Sequence, residues 1–245
     1  MAQNIYDNPD FFAGYSGLPR QVRGLDGAPE WSTVSRLFPS LVGKHVLDLG
    51  CGFGWASRWM RAQGAASVIG IDLSDRMISR ARADTNDAAI DYRISDLDTL
   101  DLPSATFDLA FSSLAFHDVE DWTVLVSRLA AVLKPGGDLI FTIEHPVYMA
   151  PALPEWTVDG DGRRSWPVNG YFVEGERRTN WFADGVIKYH RTIATTLNGL
   201  IEAGFLLNRI DEFVPTAEQI AADPALCEEV DRPMLLIVSA SLPKR

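Results

Sequence analysis

VLDLGCGFGW, residues 46–55, sets a short apolar run against glycines at every second position, Gly50, Gly52 and Gly54. A run of this length bounded by glycine predicts a buried strand turning into a helix, here WASRWMRAQG, residues 55–64, closed by Gly64. The turn has two readings. A dinucleotide cradle wants a third glycine, or an alanine, at the sixth position of G-x-G-x-x-G so that the helix packs close to the strand. Trp55 stands there, and its indole is expected to hold the helix off the strand. Asp48, two residues before Gly50, would repel a pyrophosphate but accept hydrogen bonds from an ammonium group or ordered water. The local charge favours a ligand with a cationic end.

Strand and helix alternate on both sides of this stretch. SVIGIDLS (67–74), AIDYRIS (89–95), FDLAFSSLAF (107–116) and DLIFTIE (138–144) read as further strands. Ser74 is placed to cap a helix over DRMISRARA, and EDWTVLVSRLAAVL (120–133) is amphipathic until LKPGG breaks it. This alternation predicts a parallel, doubly wound α/β sheet. Asp72 ends the second strand 22 residues after Gly50, where a carboxylate can accept both hydroxyls of a ribose. Asp96 follows the third strand and can take the amino group of an adenine. Asp48, Asp72 and Asp96 thus share the sheet edge where α/β proteins bind ligands.

Outside that core, residues 1–28 mix Tyr6, Phe11, Phe12 and Tyr15 with turn formers and read as an ordered arm rather than a helix. A helix is expected through 29–37, opening the main domain, 29–245. Residues 146–190 hold Trp156, Trp166 and Trp181 among Gly, Pro and charged residues. They read as a compact insertion of short strands, because linkers are poor in Trp. A helix over 192–204 and strands at 205–214 and 233–242 suit an antiparallel pair at the sheet edge.

Bulk composition narrows the partners. The 245 residues suit one large domain with an insertion, and 47 % hydrophobic content supplies a full core. Thirty-three acidic residues against 22 Lys and Arg give a net charge of −11, which disfavours nucleic acid and anionic membrane and favours a small molecule. No window approaches the ~18 apolar residues of a membrane span. The N-terminus lacks a signal-peptide pattern, and Cys51 and Cys227 form neither a metal-ligand spacing nor a disulfide framework, so a cytoplasmic location without a bound metal is expected.

VLDLGCGFG, GIDLS, SDLDTL, FDLAFSSLAFHDVED and LKPGGDLIFTIEH, in this order, resemble the motifs of class I S-adenosylmethionine-dependent methyltransferases, and are most similar to the small-molecule branch of ubiquinone and menaquinone methyltransferases. The resemblance implies a Rossmann-like sheet of order 3-2-1-4-5-7-6, mostly parallel with an antiparallel last strand, and S-adenosylmethionine as cofactor. By position it implies that Asp48, Gly50, Cys51 and Gly52 hold the methionine part and that Asp72 binds the ribose, with Leu73 beside the adenine. It places Met77 on the adenine face and Asp96 and Leu97 at its edge, and gives the Ser112 carbonyl to the cofactor ammonium. An NAD(P)-dependent oxidoreductase and a non-catalytic cofactor-binding module are the alternatives.

Methyl transfer from a sulfonium needs alignment and dryness first, and a base only if the acceptor must lose a proton. His117, just past the fourth strand, is positioned to be that base or to pack on the cofactor. His145, after the fifth strand beside Glu144, is a second catalytic candidate or a turn residue before Pro146. His45, at the opposite end of the sheet, is read as non-functional. On the arm, Tyr15 can face the sulfonium and Arg20 can pair with the cofactor carboxylate. The Trp-rich insertion should rise over the site, either as a cap that forms an acceptor pocket or as a homodimer surface.

Overall fold

The computed structural model describes residues 3–244; Met1, Ala2 and Arg245 lie outside the described residues. The arm carries helices α1 (Pro9–Ser16) and α2 (Pro19–Val22), and α3 (Trp31–Val34) follows. The nucleotide-fold half runs β1 (His45–Leu49), α4 (Trp55–Ala62), β2 (Ser67–Asp72), α5 (Asp75–Ala83), β3 (Ile90–Ile94), β4 (Phe107–Ser113), α6 (Trp122–Val132) and β5 (Leu133–Glu144). The insertion holds α7 (Pro146–Met149) and two hairpins, β6 (Thr157–Val158) with β7 (Arg164–Ser165) and β8 (Gly175–Trp181) with β9 (Ala183–His190). The chain closes with α8 (Ile193–Glu202), β10 (Leu206–Glu212), α9 (Ala217–Ala222) and β11 (Leu235–Ser241).

One seven-stranded sheet organises these elements, in the order β3-β2-β1-β4-β5-β11-β10. Counting only its own strands, this is the 3-2-1-4-5-7-6 order that the motifs imply. Pairing is parallel from β3 to β5 and antiparallel at β5–β11 and β11–β10. The strand alternation distributes the core to both faces. Leu47, Leu49, Ala110 and Phe141 meet Leu125 and Leu129 of α6 and Leu200 of α8. Val46, Leu109, Phe111 and Ile140 meet Met60 of α4 and Ile78 of α5 on the other face. Truncating a ring as deeply buried as Phe111 costs on the order of 3–5 kcal/mol. Strand order reverses between β1 and β4, so the ligand crevice of such a sheet lies beyond their carboxyl ends.

Three local expectations are corrected. The arm is helical over Pro9–Ser16, because the Asn8 side chain accepts from the amides of Asp10 and Phe11 while Pro9 occupies the first helical turn. The helix expected through 29–37 is α-helical only over Trp31–Val34 and tightens to a 3-10 turn over Ser35–Leu37 before Pro39. The LKPGG break is absorbed into β5, whose register against β4 shifts between Phe107 and Leu109.

Candidate functional site

The glycine turn is built from three left-handed residues, Gly50 (φ +70°), Gly52 (φ +51°) and Gly54 (φ +75°). A side chain on Gly50 would strike Ala115 in the loop after β4, and one on Gly54 would strike the Tyr92 ring. One on Gly52 would meet only the Tyr15 hydroxyl, at 3.9 Å, so the open side of the turn faces the arm. Asp72 fixes the turn. Its Oδ2 accepts the Gly52 amide at 2.9 Å and its Oδ1 the Ser74 amide at 3.0 Å. A carboxylate has about four lone-pair positions, so two remain for hydroxyl donors. Burial raises the Asp72 carboxyl above its usual range despite those bonds.

Asp48 points the other way. It lies beneath α4, where Ser57 Oγ donates to it at 2.5 Å, and burial pushes its carboxyl up to about 7. Trp55 also departs from expectation. Its indole does not wedge α4 from the sheet but turns to the arm, where it packs on Gly24, with the Arg58 guanidinium 4.6 Å from its ring centroid. The Cys51 thiol is buried, and burial with nearby Asp48 and Asp72 raises it well above its ordinary value. Leu73 is half-buried beside Asp72, and Met77 is buried on α5 under the Ser74 cap. Asp96 caps the 3-10 turn Leu97–Thr99 by accepting the Asp98 amide at 2.9 Å, and Leu97 packs on the core. Ser112 Oγ donates to the Leu49 carbonyl at 2.8 Å, tying β4 to β1 at the strand-order reversal.

The arm lies across this edge. Tyr6 packs edge-on to Phe11 (5.0 Å between centroids) and Tyr15 (5.3 Å), and Tyr15 stands edge-on to Phe53 of the glycine turn. Asp7 accepts from Ser74 Oγ at 2.6 Å, and Gln3 bonds both the Gly185 carbonyl and the Ile187 amide of β9 at 2.9 Å. The Arg20 guanidinium pairs with the buried Glu30 at 2.7 Å. Burial pushes the Tyr15 phenol up to about 12, with Arg20 opposing the rise.

A polar cluster that sequence reasoning did not assemble joins the arm, the ends of β4 and β5, and the second hairpin. Glu144 at the end of β5 forms a buried ion pair with Lys188 of β9. His117 Nδ1 accepts the Glu144 amide at 3.4 Å, while its Nε2 lies 3.7 Å from Asp118 Oδ1. Lys188 and Tyr6 favour the ionised form of Asp118, and Glu144 and Asp72 add negative charge near it. Burial drives His117 down to about 4, leaving a neutral imidazole at neutral pH, and drives Asp118 up to about 7. The Asp118 side chain nonetheless keeps 29 % of its surface. Tyr6, Tyr15, Tyr148 and Trp181, all half-buried, surround the same region. The available signal for Lys188 was strand periodicity: Val186, Lys188 and His190 alternate inward along β9, and a lysine on an inward face needs a partner.

The other histidines are not brought into this cluster. His145 caps α7 by accepting the Val147 amide at 3.1 Å, and its Nε2 lies 2.9 Å from Glu212 on β10. His190 Nε2 bonds the Tyr171 carbonyl, and His45 Nδ1 meets Ser67 Oγ at the far end of the sheet. The described residues contain no group of three or more His, Cys, Asp and Glu side chains able to hold a metal ion, and no helix among them is long and apolar enough to cross a membrane.

Comparison with known proteins matches this geometry. Residues 47–141 fit the family model described as a methyltransferase domain. A crystal structure of an S-adenosylmethionine-dependent methyltransferase from Mesorhizobium loti is 53 % identical, covers 89 % of this chain and 100 % of its own, and superposes with a TM-score of 0.85. An uncharacterised Haemophilus influenzae protein is 34 % identical over 97 % of this chain and 96 % of its own length. A ubiquinone biosynthesis O-methyltransferase from Coxiella burnetii is 29 % identical over 61 % of this chain and 65 % of its own. The seven-stranded sheet order and these likenesses over nearly the whole chain agree: the chain belongs to the S-adenosylmethionine-dependent methyltransferases.

Proposed function

We propose that the protein transfers the methyl group of S-adenosylmethionine to a small-molecule acceptor held beneath the arm and the second hairpin. The observation that carries this reading is the closure of two additions over the sheet edge: Gln3 and Phe11 of the arm hold the second hairpin, and Lys188 of that hairpin pairs with Glu144 at the end of β5. The likeness to a ubiquinone O-methyltransferase and the net charge of −11 support a small, non-polyanionic acceptor.

In this reading the chain's residues divide the cofactor as the motifs imply. Gly50, Cys51 and Gly52 seat the methionine part, and Asp48 acts through Ser57 beneath that turn. Asp72 accepts the ribose hydroxyls on its two remaining lone-pair positions. Leu73, Met77, Asp96 and Leu97 border the adenine, the Ser112 carbonyl faces the ammonium, and Tyr15 with Arg20 closes the site from the arm. The bound sulfonium supplies an activated methyl carbon; alignment and exclusion of water are left to the chain. Both are supported by how the insertion is fastened. Trp156 and Trp166 pack around Arg232 (5.6 and 4.5 Å), and Arg232 pairs with buried Glu229 at 2.9 Å. Trp181 packs on Phe11 of the arm. These indoles are engaged within the chain, which favours the cap over the dimer surface.

The test is release of S-adenosylhomocysteine from S-adenosylmethionine across a library of small hydroxyl, amine and carbon acids, beside purified protein, RNA and DNA. Turnover on a small molecule is expected. Turnover confined to the macromolecules would overturn the acceptor class, and cofactor binding without turnover on any acceptor would point to a regulatory module.

A further inference from the structure

The polar cluster contains two groups able to receive a proton at the methyl-transfer edge, and they are placed differently. His117 has Nδ1 committed to the Glu144 amide and is buried. Asp118, next to it, keeps 29 % of its side-chain surface at the same sheet edge. The titratable and charged groups that act on Asp118 are Tyr6 and Tyr15 from the arm, Asp72 from the end of β2, His117 beside it, Glu144 from the end of β5, and Lys188 from β9. Lys188 is neutralised by Glu144, so it does not capture Asp118 in an ion pair of its own. Tyr6 stands close enough to favour the ionised carboxylate.

We propose that Asp118 is the catalytic base: its carboxylate takes the proton from an acceptor that carries O–H or N–H on the attacked atom. This rests on the methyl-transfer reading above. In the step, a lone pair of the acceptor oxygen or nitrogen forms the bond to the methyl carbon, and the carbon–sulfur bond breaks with its electron pair to sulfur. The acceptor proton passes to Asp118 Oδ, so a sulfonium cation, a neutral acceptor and a carboxylate become a neutral thioether, a neutral methylated product and a protonated carboxyl. His117 stays neutral throughout and positions the Glu144 backbone. The assignment also names the substrate class: a neutral protic heteroatom compound, not a carbanion or a preformed anion. A carboxyl that burial holds near neutrality is suited to this exchange, ionised often enough to accept and basic enough to gain from it.

The test needs no known acceptor. If Asp118 stands beside the reacting sulfonium, binding S-adenosylmethionine at pH 7 must expel its proton, whereas S-adenosylhomocysteine, lacking that charge, must not. Isothermal calorimetry in phosphate and in Tris, whose ionisation heats differ, counts the protons. We expect about half a proton more released with S-adenosylmethionine than with S-adenosylhomocysteine. Asp48 also titrates near neutrality, but both ligands carry the same ammonium group, so its share cancels. Asp118→Asn should erase the difference. Tyr6→Phe, which removes a hydroxyl that favours the carboxylate, should enlarge it. Equal proton release for the two ligands, or a difference that persists in Asp118→Asn, would overturn the assignment. Failure of both ligands to bind would instead sink the methyl-transfer reading itself.

Discussion

Replacing Lys188 with Met removes the cation that holds the hairpin's β9 against the end of β5, and the structure gives the consequence a sign and a size. Lys188 and Glu144 retain only 11 % and 12 % of their side-chain surface. Burial alone pushes the Glu144 carboxyl up, and Lys188 outweighs it, so the native carboxyl sits below its ordinary value. Without Lys188 the burial effect stands unopposed. Breaking a buried pair from one side costs on the order of 3–5 kcal/mol, because the remaining charge is left uncompensated. For a chain of this size that is a fall in Tm of roughly 6–20 °C. The pH dependence separates this cause from lost packing. In the variant, the folded-state pKa of Glu144 lies above its unfolded value near 4.5, so the penalty is absent below that value and grows as pH rises through the raised one. Urea unfolding at pH 5 and pH 8 should show a markedly smaller loss at pH 5. Lys188→Met with Glu144→Gln should recover to within ~1 kcal/mol of the parent at pH 8, since removing both charges is nearly neutral. A loss equal at both pH values, or a double variant no better than the single, would refute the reasoning.

Three further outcomes follow from the same region. His117 has a folded-state pKa of about 4 against 6.5 unfolded, so its contribution is intact above pH 6.5 and is lost as pH falls to about 4, a drop of ~3 kcal/mol that His117→Asn should flatten in acid unfolding curves. Asp118 runs in the opposite direction: its raised pKa makes the ionised form costly above pH 7, so Asp118→Asn should stabilise the protein at pH 8 by ~2 kcal/mol, allowing for its 29 % exposure, and leave it unchanged at pH 4. Asp72→Ala should weaken S-adenosylhomocysteine binding by at least ~100-fold in calorimetry, since two charge-assisted bonds of ~1.5–3 kcal/mol each are lost; near-normal affinity would mean that the ribose is held elsewhere.

The parts of the fold legible in the sequence are those that local chemistry dictates. The apolar runs around Leu47 and Ala110, the left-handed glycines and the Ser74 cap each need only neighbouring residues, and the sheet order follows from motifs in chain order. Direction was harder to read. Nothing adjacent to Trp55 says that its indole turns to Gly24 rather than to β1, because Gly24 is brought there by the arm. Asp48 shows the same limit: its alternation with Leu47 and Leu49 puts it on the α4 face, where Ser57 takes it, and not on the ligand side. In the arm, the Asn8–Pro9 start signal was outweighed by the glycines and aromatics around it.

The cluster at Asp118 was least legible because no short segment contains it. Tyr6, Asp118, Glu144 and Lys188 come from the arm, the loop after β4, the end of β5 and the second hairpin, and each alone looks like an ordinary surface residue. What unites them is the closure of two additions on one sheet edge. Gln3 bonds β9 directly, and Phe11 packs on Trp181 at its tip, so arm and hairpin hold each other as well as the body. The hairpin delivers Lys188 to Glu144 and the arm delivers Tyr6 to Asp118, so each addition supplies a polar contact that the sheet edge lacks. In the proposed reading the sheet builds the cofactor half of the site from local motifs, while the acceptor half needs both additions seated. A chain whose arm is cut away before Asn8 should keep the glycine turn and its hold on S-adenosylhomocysteine within ~10-fold, because Asp72 still fixes that turn through Gly52 and Ser74. It should lose turnover nearly completely, since the wall above Asp118 is gone. Loss of cofactor binding in parallel with turnover would show that the two halves are not separately built.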